Sequence, residues 1–260
     1  LNLGITIIVS PFNKFTIMKK IFFLAAMAAM VSCSKNVENV PTTPATDKLP
    51  INITTTLTRA TDSAFEAGDK VGIFVVNEPN TLATSGNHVD NMGFTYSTKW
   101  TPDTEIYWLD KSTKADFYCY YPYAEVANTA AHTFATKADQ SSLANYKASE
   151  FLWGKTAGVA PTEEAVNITT NHTFSNIVVI LKAGEGWSTS AWAEATKSVK
   201  VCNVKTEATI NLSTGVATAT GAITSVSPYN EGTQYRALIV PQTTEDGALI
   251  QAVVDGTTYT

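Results

Sequence analysis

Apolar and polar residues alternate in short runs along the chain after residue 50. The runs are Ile51 and Ile53; Phe94, Tyr96 and Trp100; Phe117, Cys119 and Tyr121; Val166 and Ile168; Val199 and Val201; and Leu249 and Val253. A period of two places every other side chain on one face of an extended backbone, so these runs predict half-buried strands. Thr, Val, Ile, Tyr and Phe dominate them, which suits a pleated surface. Turn chemistry falls between them at Gly68-Asp69, Thr101-Pro102-Asp103, Ser213-Thr214-Gly215, Asp246-Gly247 and Asp255-Gly256. That spacing belongs to sandwiches and not to βαβ units. The run Ile177-Val178-Val179-Ile180-Leu181 has no polar alternation and predicts a central strand covered on both faces. Helix is expected only as a turn or two at 139–146 and 190–196, too short to build a layer. Segments 77–93 and 124–150 read as long loops, either surface decoration or binding loops. The pattern predicts an all-β protein.

The N-terminal part breaks this pattern. Lys19 and Lys20 precede an apolar stretch from Ile21 to Val31, then Ser32 and Cys33. A positive start, an apolar middle and a small residue at the end are the layout of a secretory signal. A bilayer span needs about 20 apolar residues, and this run stops short of that at Ser32 and the polar Ser34-Lys35-Asn36. The segment resembles a bacterial lipoprotein signal, cut before the cysteine once its sulfur carries diacylglycerol, although Met-Val-Ser-Cys departs mildly from the commonest form. Cys33 is therefore the expected lipidation site, residues 18–32 the signal and Met18 the expected first residue. Residues 1–17 read as an over-extended gene start and are set outside the fold. Residues 33–50, with three prolines and little to bury, read as an extended tether.

Composition narrows the function classes. The 260 residues carry a formal net charge of -5, with no basic patch to invite nucleic acid. A hydrophobic content of 44% and an aromatic content of 10% suffice for packed cores. Besides Cys33 there are only Cys119 and Cys202, read as buried free thiols although they could pair.

Candidate chemistry is sparse. The histidines are His88, His132 and His172, and the chain lacks His-Glu-x-x-His, Cys-x-x-Cys, Gly-x-Ser-x-Gly and a phosphate-cradling glycine loop. No catalytic residue, metal site or cofactor is assigned, and the protein is not read as an enzyme. His88 and Asp90 read as a solvated loop pair. His172 reads as a strand residue bonded to a backbone or hydroxyl group, and Glu163-Glu164 as a solvated turn. Among the tryptophans, Trp100 and Trp108 fall with Tyr118 and Tyr120 in strand patterns and are expected in cores. Trp153, Trp187 and Trp192 lie nearer turns and are the candidates for stacking on sugar rings, which leaves a surface glycan-binding lipoprotein as the alternative function.

Several motifs occur together and in order. Thr58-Arg59-Ala60 precedes Phe65-Glu66-Ala67-Gly68-Asp69-Lys70-Val71-Gly72-Ile73. Phe117-Tyr118-Cys119-Tyr120-Tyr121-Pro122-Tyr123 follows, then His172-Thr173-Phe174-Ser175, then Leu238-Ile239-Val240-Pro241-Gln242 with Asp255-Gly256 and Tyr259 after it. Behind a lipoprotein-like signal, this order resembles the fimbrillin family of Bacteroidetes, surface lipoproteins that form type V fimbriae. The resemblance implies two tandem transthyretin-like β-sandwiches, at 51–165 and 166–260, and a structural or adhesive role without a cofactor. It implies partners in other fimbrial subunits, the outer membrane through the lipid, and surface glycans or proteins, with the protein at the cell surface and in the fimbrium. In fimbrial members a trypsin-like protease cuts after an arginine and removes the first strand, and a strand of the next subunit takes its place. Arg59, one of only two arginines with Arg236, matches that position, so the expected cut lies between Arg59 and Ala60. Asp62-Ser63-Ala64 resembles an O-glycosylation site of these bacteria, with Ser63 as the acceptor. Family members continue past the point matching Thr260, so the C-terminal sandwich is expected to be incomplete.

Overall fold

The computed structural model describes residues 3–10, 48–57, 64–244 and 247–260. Among them are sixteen strands and two short helices. The strands are β1 (Leu3–Ser10), β2 (Ile53–Leu57), β3 (Lys70–Asn77), β4 (Val89–Tyr96), β5 (Trp100–Pro102), β6 (Ala115–Tyr121), β7 (His132–Ala135) and β8 (Leu152–Val159). They continue as β9 (Val166–His172), β10 (Ser175–Ala183), β11 (Lys197–Asn211), β12 (Val216–Val226), β13 (Tyr229–Asn230), β14 (Tyr235–Ile239), β15 (Ile250–Val254) and β16 (Thr257–Tyr259). The helices are α1 (Leu143–Lys147) and α2 (Thr189–Glu194), each opened by a serine whose side chain accepts a backbone N–H, Ser142 and Ser188. The protein is all-β, as the alternation predicts.

Three sheets carry the fold. The first has seven strands in the order β2-β9-β8-β6-β3-β4-β5, the second four in the order β1-β10-β14-β13, and the third β12-β11-β15-β16 with β7 also paired to β11. Strand pairs are antiparallel except β2 with β9. In β3, six successive positions from Val71 to Val76 are buried. Val71, Ile73 and Val75 face a core shared with Phe94, Trp108, Phe117 and Ile168. Phe74 and Val76 face a second core, with Tyr118, Tyr120, Phe151, Ile210 and Leu212. Hence β3 and β6 are central strands covered on both faces, the far side by β11 and its neighbours. A third core, built on Ile177, Val179, Val201, Val226 and Ala252, lies between the second and third sheets.

The structure departs from the sequence expectations at several places. Phe94, Tyr96 and Trp100 form no single run: a tight turn folds Trp100 on β5 back opposite Tyr96 on β4. Pro102, read as a turn, ends β5 at the sheet edge, where the missing N–H costs no ladder bond. β9, placed at the head of the C-terminal unit by a boundary at 165/166, is hydrogen-bonded between β2 and β8 of the seven-stranded sheet. Alternation fixes which side chains share a face, not which strand pairs with which. The expected loop 124–150 contains β7, which joins β11 of the third sheet. Residues 177–181 do lie in an interior strand, but only Ile177 and Val179 of the run are buried and Val178, Ile180 and Leu181 are half-buried, so the expected cover on both faces is incomplete; the outer neighbour is β1, from the segment set outside the fold.

Candidate functional site

The expected lipidation site Cys33, the expected cleavage site Arg59-Ala60 and Ser63 lie outside the described residues. What the structure gives is the segment before the cleavage site and the segment after it.

Residues 49–57 are bonded along both halves. Trp108 N–H donates to the Leu49 carbonyl at 2.9 Å and Ile51 N–H to the Ile106 carbonyl at 2.8 Å. Past Ile51 the chain turns to the other side: Val166 N–H donates to the Asn52 carbonyl at 2.8 Å, and β2 runs parallel with β9 from Ile53 opposite Val166 to Leu57 opposite Thr170. Ile51 and Ile53 are buried, Thr54 and Thr56 exposed. β2 is the terminal strand of its sheet, as β5 is at the other end. A cleft of about 810 Å³ opens between them, lined by β2, Phe65, Tyr96, Trp100 and Ile106. The Trp100 indole N–H bridges it to Thr55 Oγ1 at 2.9 Å.

Downstream of the undescribed residues 58–63 the chain is pinned again. Phe65 sits among Tyr96, Trp100 and Tyr121, with ring centroids 6.3, 4.9 and 5.9 Å away. Behind it the Gly68-Asp69 turn is closed by Glu66 N–H donating to Asp69 Oδ2 at 2.7 Å, with Gly68 at φ 99°, a conformation that favours glycine. The Tyr121 hydroxyl donates to Asp69 Oδ1 at 3.1 Å. Burial first, then the Asp69 carboxylate, pushes that phenol well above its ordinary pKa. Two motifs that lie fifty residues apart in sequence thus meet in one aromatic anchor.

The other candidates are structural or remain apart. His88 Nε2 bonds the Tyr107 carbonyl at 2.6 Å, whereas Asp90 accepts from Gly86 and Asn87 N–H, so the two form no pair. His172 ends β9 and its Nδ1 lies 2.7 Å from Glu150 Oε2, a carboxylate partner beyond those expected from sequence. Glu163 and Glu164 are exposed in a turn. Trp153, a glycan candidate from sequence, spends its indole N–H on the Leu212 carbonyl at 2.7 Å. Trp187 and Trp192 pack edge to face at 5.3 Å, with Lys197 Nζ 4.5 Å from the Trp192 ring centre. Cys119 and Cys202 are both free; Cys119 is buried, which pushes its thiol far up, and Cys202 only half-buried.

Sequence reasoning passed over two glutamines. Gln140 is fully buried and its amide pairs with Leu238 as a strand would, accepting from Leu238 N–H and donating to the Leu238 carbonyl, both at 2.9 Å. Gln242 treats Lys205 the same way, accepting its N–H at 2.8 Å and donating to its carbonyl at 2.9 Å. The glutamine of the Val-Pro-Gln motif thus crosses from the end of β14 to the third sheet, where its amide pairs with β11 between the stretch bonded to β15, which ends at Val201, and the stretch bonded to β7, which begins at Glu207. A glutamine in a predicted loop carries no signal of a partner 98 residues away.

Comparison with known proteins agrees with this architecture. The Fimbrillin-like family model matches residues 58–260. A protein named "Putative fimbrium subunit Fim1C" from Bacteroides uniformis is 27% identical over 254 residues, covering 92% of this chain and 81% of its own length. The fold is shared with two crystal structures, each of a "putative cell adhesion protein". The one from Bacteroides uniformis has a TM-score of 0.62 at 21% identity and 84% coverage of both chains. The one from Bacteroides ovatus has a TM-score of 0.63 at 19% identity, covering 82% of this chain and 85% of its own. Because the matched span takes in the aromatic anchor, most of the three cores and both glutamine pairings, and reaches well beyond half of the chain, the protein belongs to the fimbrillin-like family of fimbrial subunits, which is not an enzyme class.

Proposed function

We propose that the protein is a structural or adhesive subunit of surface fimbriae, exported as a lipoprotein through Cys33 and assembled by strand addition after a cut between Arg59 and Ala60. The two halves of the fold are read as tandem transthyretin-like sandwiches, and the acylated Cys33 with the tether to residue 50 holds the precursor at the outer membrane. Ser63 carries the glycan in this reading.

The observation that carries the proposal is the position of β2. It is a terminal strand, its last residue precedes Arg59 by two positions, and Phe65 is anchored independently on the other side. A cut after Arg59 would free 49–57 and leave Phe65 in its aromatic cage. The vacated place offers the edge of β9 and the pockets of Ile51 and Ile53, which suits an incoming strand that recovers main-chain bonds and side-chain burial together.

N-terminal sequencing of surface-purified protein tests the reading. A mature chain beginning at Ala60, and loss of filaments in the Arg59→Ala protein, are expected. A chain still beginning at Cys33, with unimpaired filaments from Arg59→Ala, would overturn protease-triggered exchange. Fatty-acid labelling abolished by Cys33→Ala is expected of the anchor.

A further inference from the structure

A cavity of about 100 Å³ lies where the first sheet meets the second, beside α1. Its floor is buried: His172 of β9, Asn176 of β10, and Arg236 and Leu238 of β14 are 7%, 4%, 5% and 2% exposed. Its rim includes Ala64 and Glu66, both exposed, so the cavity can be reached from water. About 10–15 Å³ of such space suffices for one water, so there is room here for several, or for a short organic group in their place.

The cations around this cavity are committed. Arg236 Nη1 donates to Glu231 Oε1 at 2.8 Å, with the guanidinium 5.2 Å from the Tyr146 ring centre. Lys147 Nζ donates to Glu66 Oε1 at 2.5 Å, and His172 Nδ1 lies 2.7 Å from Glu150 Oε2. Acceptors, by contrast, are in surplus. Asp69 accepts from Glu66 N–H and the Tyr121 hydroxyl, and Glu150 from Phe151 N–H besides its contact with His172. That is two donors to each, where an ionised carboxylate has room for about four. The side-chain oxygen of Asn176 is buried without a hydrogen-bond partner among the described residues. A buried acceptor left unmet costs stability, so whatever brings a donor to it is held there. Charge points the same way: with Arg236 turned to Glu231, three carboxylates, Glu66, Asp69 and Glu150, face one ammonium and one imidazole. The remaining walls, Leu152 and Leu238 among them, are apolar.

We propose that this cavity binds a primary alkylammonium group. Its N–H groups meet the Asn176 oxygen and the spare lone pairs of the carboxylates, and its short stem lies against the leucines. A free amine and a lysine side chain of another protein present the same chemistry. The assignment depends neither on the lipid nor on the cleavage at Arg59.

The test uses full-length Cys33→Ser protein, with NMR shifts of backbone amides around the cavity as the readout. It is titrated with n-butylammonium and with tetramethylammonium, which has the same charge and no N–H donor. A saturable shift with butylammonium in the millimolar range and none with tetramethylammonium is expected. Asn176→Leu, similar in volume, should weaken binding at least about tenfold, whereas Asn176→Asp keeps the acceptor and should keep the binding. Asn176→Leu should also melt no lower than the parent, because it deletes an unmet acceptor. Should that variant not fold, the selectivity of the unaltered site still decides. No saturable shift, an equal response to tetramethylammonium, or full binding by folded Asn176→Leu would overturn the assignment. Binding seen only in Arg59→Ala would also overturn it, by giving the cavity to the chain's own guanidinium. Nα-acetyl-lysine methylamide separates the sources: binding as tight as that of butylammonium assigns the group to a lysine side chain, and binding at least about tenfold weaker to a free amine. Either order upholds the ammonium site.

Discussion

The most discriminating perturbation of the assembly reading is Ile53→Ala, because Ile53 belongs to the strand that leaves. Its side chain is 6% exposed and shares a core with Ile168, which is fully buried on β9, the strand that stays. Truncating a buried isoleucine to alanine costs about 2–5 kcal/mol, depending on how far the site collapses. At about 2–4 °C per kcal/mol for a fold of this size, the uncut precursor should melt roughly 4–20 °C lower. The consequence for exchange has the opposite sign. Once β2 is replaced, residue 53 of the acceptor is no longer in the fold, so the substitution destabilises the starting state and leaves the product unchanged. The exchange equilibrium should move toward assembly by that same energy, about 30-fold or more. Ile168→Ala damages precursor and product alike and should lower both melting points with little net shift. The assay is thermal melting of soluble Cys33→Ser protein, with trypsin-nicked protein followed for polymer formation by light scattering. Slower assembly by Ile53→Ala, or equal acceleration by Ile168→Ala, would refute the idea that β2 is displaced.

Gln140→Ala leaves the N–H and carbonyl of Leu238 without their buried amide partner and should cost about 1–3 kcal/mol, read as a lower urea midpoint. In Gly154→Ala the new Cβ would lie 2.3 Å from the Thr169 carbonyl of β9, so the β8–β9 pair must part. The expected cost is about 1–3 kcal/mol by urea denaturation, with faster amide exchange along β9. His132 is buried between Tyr120 and Phe151, and burial holds its pKa below the ordinary value of 6.5. The unfolded chain then binds a proton that the fold refuses, so this contribution is complete above about pH 6.5 and is lost as pH falls below it. His132→Phe should flatten the change in urea midpoint between pH 7 and pH 5.

Strand existence was legible where apolar residues marked the buried face, and not in β7 or β12, whose buried positions are largely polar or small. In β9 the burial alternates at every residue from Val166 to His172, and the sequence alternates with it as far as Ile168, after which the buried positions are the polar Thr170 and His172. The β15–β16 turn was legible for a different reason: Asp255 and Gly256 both take positive φ, at 45° and 79°, as Asp-Gly hairpins do. The run Val71–Val76 carried the signal of a strand covered on both faces and is buried throughout, whereas 177–181, the run read that way, is buried only at Ile177 and Val179. Sheet membership was not legible, because the pairing of β9 with β2, and of β7 with β11, depends on long-range closure. Among the site residues, the Gly68-Asp69 and Tyr121-Pro122 motifs were visible, yet their convergence around Phe65 was not. Leu3–Ser10 had clear strand propensity and was set aside only because it precedes Met18.

Burial also limits which strands could ever be exchanged. A strand moves between subunits only if its departure does not dismantle a core, and each fully buried side chain contributes about 1.5–3 kcal/mol. β3 buries six consecutive residues and serves two cores at once, so its removal would unfold the protein. β2 and the residues before it bury only Ile51 and Ile53, while Thr54 and Thr56 stay in water. β1 is lighter still, with no fully buried side chain from Leu3 to Val9. Both lie at sheet ends beside a neighbour whose main-chain groups need a partner: β10 with the apolar run 177–181, and β9, mostly polar, with Val166 and Ile168. Loosely held occupants on demanding edges are the condition for strand transfer, because the gain from refilling the edge exceeds the loss on emptying it only when the incoming strand buries more than the outgoing one. A donor for the β2 site should therefore place large apolar side chains where Ile51 and Ile53 sat and a further one opposite Thr170, where Leu57 is only half-buried.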